Sequence, residues 1–162
     1  MNRPILAFVV GGMLGVAGGF AAGIFVYPFI FLADITGTER VDAAAAGKLV
    51  ATGGFIHAKP SDPIHYGRGK VSVFEHLVHL EEDFQVGPGP KFHVYLVPEK
   101  TVTPDTDVAR SMFIDLGRLK AFQGSQNYPV PAGVALADYG SVVIWCEQFG
   151  VLISPASLAA AR

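Results

Sequence analysis

Apolar and polar positions divide the chain into two unlike parts. Residues 5–33 carry no charged side chain over 29 consecutive positions, and a bilayer core takes about 20 apolar residues as helix. The pattern predicts one transmembrane helix over 5–33, long enough to tilt or to end in the interface. Phe25, Tyr27, Phe29 and Phe31 crowd its C-terminal end, as in an aromatic belt at headgroup level, and Pro28 is expected to loosen the helix there. A cleaved signal peptide is the rival reading. Its apolar region usually runs about 7–15 residues, and no A-x-A site follows Leu32-Ala33-Asp34. An uncleaved anchor is therefore favoured.

Residues 34–48 read as a linker of mixed charge without an apolar stripe, and the Ala43–Ala46 run suits a short helix. From residue 49 the pattern changes to short β-rich pieces separated by turn residues. Gly53-Gly54-Phe55-Ile56 opens this part, and Pro60-Ser61-Asp62-Pro63 is a turn cluster. Residues 70–74 alternate as a strand, Glu75-His76 turns a hairpin, and Leu77–Leu80 returns. The rigid Gly87-Pro88-Gly89-Pro90 loop leads into Phe92–Val97, and residues 101–107 form a polar, exposed loop. Further strands are expected at 112–115, around Tyr128-Pro129-Val130, at Ser141–Cys146 and at 151–153, with a last helical turn at 158–162. Seven or eight short strands in this length predict an all-β, β-sandwich-like domain over 49–162, behind one transmembrane helix.

Charge sets the orientation. Arg3 and the α-amino group precede the span, and Asp34 and Glu39 follow it. The positive-inside rule then puts residues 1–4 in the cytoplasm and the β domain outside, in a single-pass arrangement. The 12 basic and 14 acidic side chains include only Arg3 ahead of residue 34, so the domain is mildly acidic, which excludes a basic nucleic-acid binder. Gly11, Gly15, Gly19 and Gly23 recur every four residues. On a helix they make a flat ridge, suited to a second copy or a membrane partner; the plainer reading is a glycine-rich span.

One cysteine excludes a disulfide framework and a Cys-rich zinc site. Alternation places Val142, Ile144 and Cys146 on one strand face, and Val143 and Trp145 on the other. Cys146 is then either a buried small hydrophobe or, outside the cytoplasm, a redox-active thiol, a cofactor ligand or half of an intermolecular disulfide. All five histidines fall between His57 and His93. His57 and His65 flank the proline-rich turn and are placed to point at a common site. His76 and His79 fall on opposite strand faces and read as solvated. His93 shares a face with Tyr95 and Val97. Imidazole and thiolate both ligate haem iron, copper and zinc, but neither C-x-x-C-H nor a blue-copper Cys-His-Met ending is present. No G-x-S-x-G, H-E-x-x-H or phosphate loop marks a hydrolase or transferase. Glu81-Glu82-Asp83 reads as a solvated turn, with calcium contact as the lesser alternative.

Three blocks resemble the DM-thirteen family, the electron-transfer domain of Skeletor-type proteins. They are Gly89-Pro90 with Phe92-His93-Val94-Tyr95-Leu96; Leu116-Gly117-Arg118-Leu119 with Gly124-Ser125-Gln126-Asn127-Tyr128 and Pro131; and Ile144-Trp145-Cys146 with Phe149, Val151, Ala156 and Leu158. A looser block is Gly54-Phe55, then His65, Gly69 and Val71. Lys91 stands where the family often has Asp, and Ile153-Ser154-Pro155 where many relatives have Phe-Gly. The resemblance implies a β-sandwich-like fold and a redox role. The family's cysteine is suggested to act as a naked thiol or as ligand to a group such as haem. Carried over by position, this points to Cys146 and then to His65; His93 is a candidate ligand on strand position alone. The expectation is a membrane-anchored, extracytoplasmic redox domain with a redox partner protein and a haem or metal ion as candidate cofactors. The alternative is a non-redox interaction module in which Cys146 packs the core.

Overall fold

The computed structural model describes residues 3–31 and 35–161. Helix α1, Arg3–Phe31, is a single 29-residue element. Its Arg3–Ile24 portion has a mean hydropathy of 2.1, long and apolar enough to cross a membrane, though a signal sequence meets the same test. Apolar side chains project all round it, with Phe8, Met13, Val16 and Phe20 exposed, as in a helix whose solvent is lipid. The backbone stays helical through Pro28, so the loosening expected there does not end the element. The aromatic side chains of Phe25, Phe29 and Phe31, and the flanking Asp34, lie outside the described residues.

The segment expected as a linker is strapped onto the domain. Strand β1, Thr36–Thr38, pairs in parallel with a later strand, Thr36 opposite Gln123. Helix α2, Ala43–Ala46, is the short alanine helix; the Asp42 carboxylate accepts the Ala44 N–H at 3.0 Å and caps it. The Lys120 ammonium donates to both Glu39 oxygens at 2.8 and 2.9 Å, and the Asn127 N–H donates to Glu39 Oε2 at 2.6 Å. A tether reading fails here because Glu39 finds partners some 80 residues along the chain, which composition does not disclose.

The remaining strands are β2 (Leu49–Phe55), β3 (Gly67–Phe74), β4 (Leu77–Leu80), β5 (Gln85–Val86), β6 (Phe92–Val97), β7 (Ile114–Arg118), β8 (Gln123–Pro129), β9 (Ser141–Cys146) and β10 (Val151–Ala160). They form one sheet of order β1-β8-β4-β3-β2-β10-β9-β6-β7, with β5 joined to β3 and β8. All pairs are antiparallel except β1–β8. The sheet folds over itself, sandwich-like, so that Val71 and Val78 from one half meet Val94, Leu96, Val142 and Ile144 from the other. Edge-to-face ring pairs close the core, Phe55–Phe84 at 5.1 Å and Phe92–Phe122 at 5.8 Å.

The all-β architecture behind one helix agrees with the sequence pattern, and the β3–β4 hairpin and β9 sit at the expected positions. Three local expectations are corrected. Residues 158–160 are strand: β10 continues through Ala160, and Leu158 lies opposite Gly53. A five-residue helix cannot repay its nucleation, whereas the open side of β2 offers ladder hydrogen bonds. The 101–107 loop is not wholly exposed, because Val102, with Val108 just beyond the loop, plugs a second cluster with Tyr95, Val97, Val143 and Trp145 on the outer face of β6 and β9. His79 is buried, and its Nδ1–H donates to Asn127 Oδ1 at 2.6 Å; only His76 of that pair is exposed.

Candidate functional site

Strand alternation divides the end of β9 between two surfaces. Cys146 points into the core with Val142 and Ile144 and is 1 % exposed. Its register neighbours are Phe92 on β6 and Val151 on β10. The Sγ–H donates to the Pro90 carbonyl at 3.3 Å. Cys146 therefore sits at the rim of the core, directly under the Gly89-Pro90 loop. That loop is tightly seated: a Cβ on Gly89 would run into the Phe92 ring. Burial pushes the thiol pKa up and the Glu147 carboxylate adds to this, while the Phe149 and Gln148 N–H groups pull the other way. No cation is among the groups that shift it; Lys120 is held by Glu39 and Arg68 by Gln85. The buried thiol is thus held in its protonated form. Lys91, where the family often has Asp, is the one non-glycine described residue with positive φ, at 48°.

His65 belongs to a different place. The turn cluster folds round Asp62: the His57 Nε2–H donates to the Asp62 carbonyl at 2.7 Å and the His65 Nδ1–H to Asp62 Oδ2 at 2.7 Å. His57 and His65 thus contact the same residue, His57 through the Asp62 backbone carbonyl and His65 through its carboxylate. The His65 hydrogen bond, joined by the N–H groups of Ile64 and His65, holds the Asp62 carboxyl well below its ordinary range. His65, Asp62, Asp105 and Asp107 line a cleft of about 470 Å³ together with Trp145. This is the Trp145 side of β9, opposite to the thiol.

His93 is also on the outer face, in register with Trp145. Its Nδ1 lies 3.0 Å from Asp115 Oδ2, and its Nε2 lies 3.4 Å from Glu147 Oε2. The Tyr95 hydroxyl donates to Glu147 Oε1 at 2.9 Å, and the Tyr95 ring stacks on Phe113 at 4.2 Å. Burial, then the Glu147 contact, pushes the Tyr95 phenol pKa well up. Asp115 and Glu147 went unnoticed in the sequence. Alternation alone puts Glu147 on the Trp145 face, but only the β9-β6-β7 order brings Asp115 beside His93.

The three sequence candidates are therefore not brought together. Cys146 faces inward, His65 lines the cleft, and His93 sits over the outer surface. Trp145 faces away from the thiol as well, and Tyr128 shares the core but gives its hydroxyl to Gln126 at 2.8 Å. A haem or metal on Cys146 needs a second ligand and room beside the sulfur. Among the described residues the thiol is packed in apolar surroundings, and neither histidine reaches it. The residues do not fit such a group, and no step is derived through one.

A folded-over, mostly antiparallel sheet with a single thiol under a glycine–proline loop defines a small all-β domain. The chain belongs to the electron-transfer DM13 family, whose sequence profile matches residues 61–158. No match was found among curated proteins or among solved structures.

Proposed function

We propose that the protein is a membrane-anchored, extracytoplasmic electron-transfer domain in which Cys146 works as a thiol rather than as a ligand. The observation that carries this reading is the Sγ–H···O contact to Pro90 at 3.3 Å. It seats the thiol beneath a loop at the edge of the core, and in this reading movement of that loop uncovers it. Once uncovered, the thiol loses its proton and the thiolate attacks a disulfide of a partner protein. One S–S bond forms between the chains and the partner's other sulfur leaves as thiolate. Residues 5–33 anchor the domain, residues 1–4 stay in the cytoplasm and residues 49–162 lie outside. Gly11, Gly15, Gly19 and Gly23, whose missing Cβ positions are open, offer the ridge for a second membrane helix.

The test is made on the full chain in detergent micelles, purified from an oxidising compartment. Equilibrated with a graded thiol/disulfide buffer, the folded protein should form a mixed disulfide on Cys146, seen by mass, and Cys146→Ser should abolish it. A folded protein that never forms the adduct overturns the reading, as does a chromophore lost in Cys146→Ser, which would make the residue a ligand. Protease protection of residues 49–162 in sealed vesicles checks the topology.

A second reading is favoured by the 1 % exposure of Cys146 and its place in the core cluster. The domain is then a tethered interaction module, and Cys146→Ser changes stability alone.

A further inference from the structure

Three adjacent strands, β9, β6 and β7, send His93, Asp115 and the Glu147 that follows β9 to one spot on the outer face. One ligand-type atom from each lies within 4.8 Å of the other two. The register explains how. The β6–β7 ladder slips between Val94 and Tyr95, and such a bulge re-aims a side chain; Asp115 pairs with Tyr95 yet reaches back to His93. Each carboxylate has one oxygen fixed by an outer donor, and His93 Nδ1 lies within reach of both Asp115 oxygens, 3.1 Å from Oδ1 and 3.0 Å from Oδ2. The Gly117 N–H donates to Asp115 Oδ1 at 2.8 Å, and the Tyr95 hydroxyl donates to Glu147 Oε1 at 2.9 Å. Oδ2 and Oε2 are left facing the imidazole, at 3.0 and 3.4 Å from its nitrogens. Outer hydrogen bonds that fix one ligand oxygen and free the other are how protein metal sites are oriented. Among the described residues neither carboxylate is ion-paired with a lysine or arginine, so two negative charges converge on one imidazole. Arg118, in register with His93, is exposed.

We propose that His93, Asp115 and Glu147 form a binding site for one divalent first-row transition ion of the zinc or manganese kind. One imidazole nitrogen and two carboxylate oxygens match the donor preference of these ions, with water completing the shell. Two carboxylates and a neutral imidazole balance the double charge. The site stands apart from the thiol reading, since Cys146 lies on the other face of β9.

The probe is zinc chloride, titrated calorimetrically into the full chain in detergent micelles. The protein carries no histidine tag and is first dialysed against chelator; manganese binding is followed by electron paramagnetic resonance. The expected result is one ion per chain with a dissociation constant in the micromolar range or below. Asp115→Asn and Glu147→Gln, exposed positions that leave the core untouched, should each weaken it tenfold or more. His76→Gln and Cys146→Ser should leave it unchanged. Zinc should raise the melting temperature of the parent and not of the two carboxylate variants. Absence of a saturable one-to-one event overturns the site and leaves a histidine bridging two carboxylates. Binding that survives both carboxylate variants, or is lost in Cys146→Ser, places the ion elsewhere and overturns it equally.

Discussion

The reactivity of Cys146 toward a thiol reagent measures how the thiol becomes accessible. Opening the 88–90 loop breaks the Sγ–H bond to Pro90, at about 0.5–1.5 kcal/mol for an ordinary hydrogen bond. It also wets one small apolar side chain, at roughly 1.5–3 kcal/mol for a fully buried one. Pro88 and Pro90 have no N–H to lose, and the neighbouring anchors, Gly87 N–H to Tyr66 and Glu147 N–H to the Lys91 carbonyl, stay in place. The sum is about 2–4.5 kcal/mol, which at 1.4 kcal/mol per decade slows the reaction roughly 30- to 1,600-fold relative to the unfolded chain. Exposure by global unfolding alone would cost about 5–15 kcal/mol and slow it several thousandfold at least. The assay is the labelling rate of the native protein at several sub-denaturing urea concentrations, against the rate in full denaturant. A loop gate gives the smaller protection with almost no urea dependence, because little surface is exposed. Protection that falls steeply with urea, along the slope of global unfolding, refutes the gate and returns Cys146 to the core.

The loop and the core offer further checks. Gly89→Ala drives a Cβ into the Phe92 ring and should cost about 1–3 kcal/mol, read by chemical denaturation, while speeding Cys146 labelling. Lys91→Gly removes a side chain from left-handed backbone at φ 48° and should raise stability by about 0.5–1 kcal/mol in the same assay. Gln126→Leu strands the Ala121 N–H and C=O groups, which are held at 3.0 and 2.8 Å, and the Tyr128 hydroxyl. The expected loss is about 2–5 kcal/mol, and a change below one tenth of that range would show that the network is dispensable. For Glu39, burial pushes the carboxyl up, but the Lys120 and Asn127 contacts outweigh it and hold the pKa below its usual 4.5. Its stabilising contribution is therefore complete above the unfolded value and is lost as pH falls through the folded one. Glu39→Gln should flatten stability against pH on the acid side, and an unchanged acid profile would contradict the assignment.

Local sequence determined what depends on neighbours a few residues apart. An uncharged run of 29 positions makes an apolar helix whatever follows it. Strict alternation in Phe92–Val97 and Ser141–Cys146 fixed which side chains share a face, because a strand turns each successive Cβ to the opposite side. Asp42 ahead of four alanines was enough for a capped helical turn. The DM-thirteen blocks named the family, since such motifs keep their residues wherever the strands lie.

Tertiary structure decided everything that needed strand order. Residues 36–46 look like a tether until Glu39 meets Lys120 and Asn127, and 158–160 look helical until β2 supplies a ladder. His79 looks solvated until β8 covers it and Asn127 Oδ1 accepts its hydrogen bond. The functional geometry follows the same rule. The sequence singled out Cys146, His65 and His93, but their separation onto the core rim, the cleft and the outer face comes from how β9 sits between β6 and β10. The convergence of Asp115 and Glu147 on His93 likewise exists only once β7, β6 and β9 lie side by side. A one-dimensional pattern carries no term for partners that long-range pairing brings together, and in an antiparallel sheet such pairing places most side chains that meet.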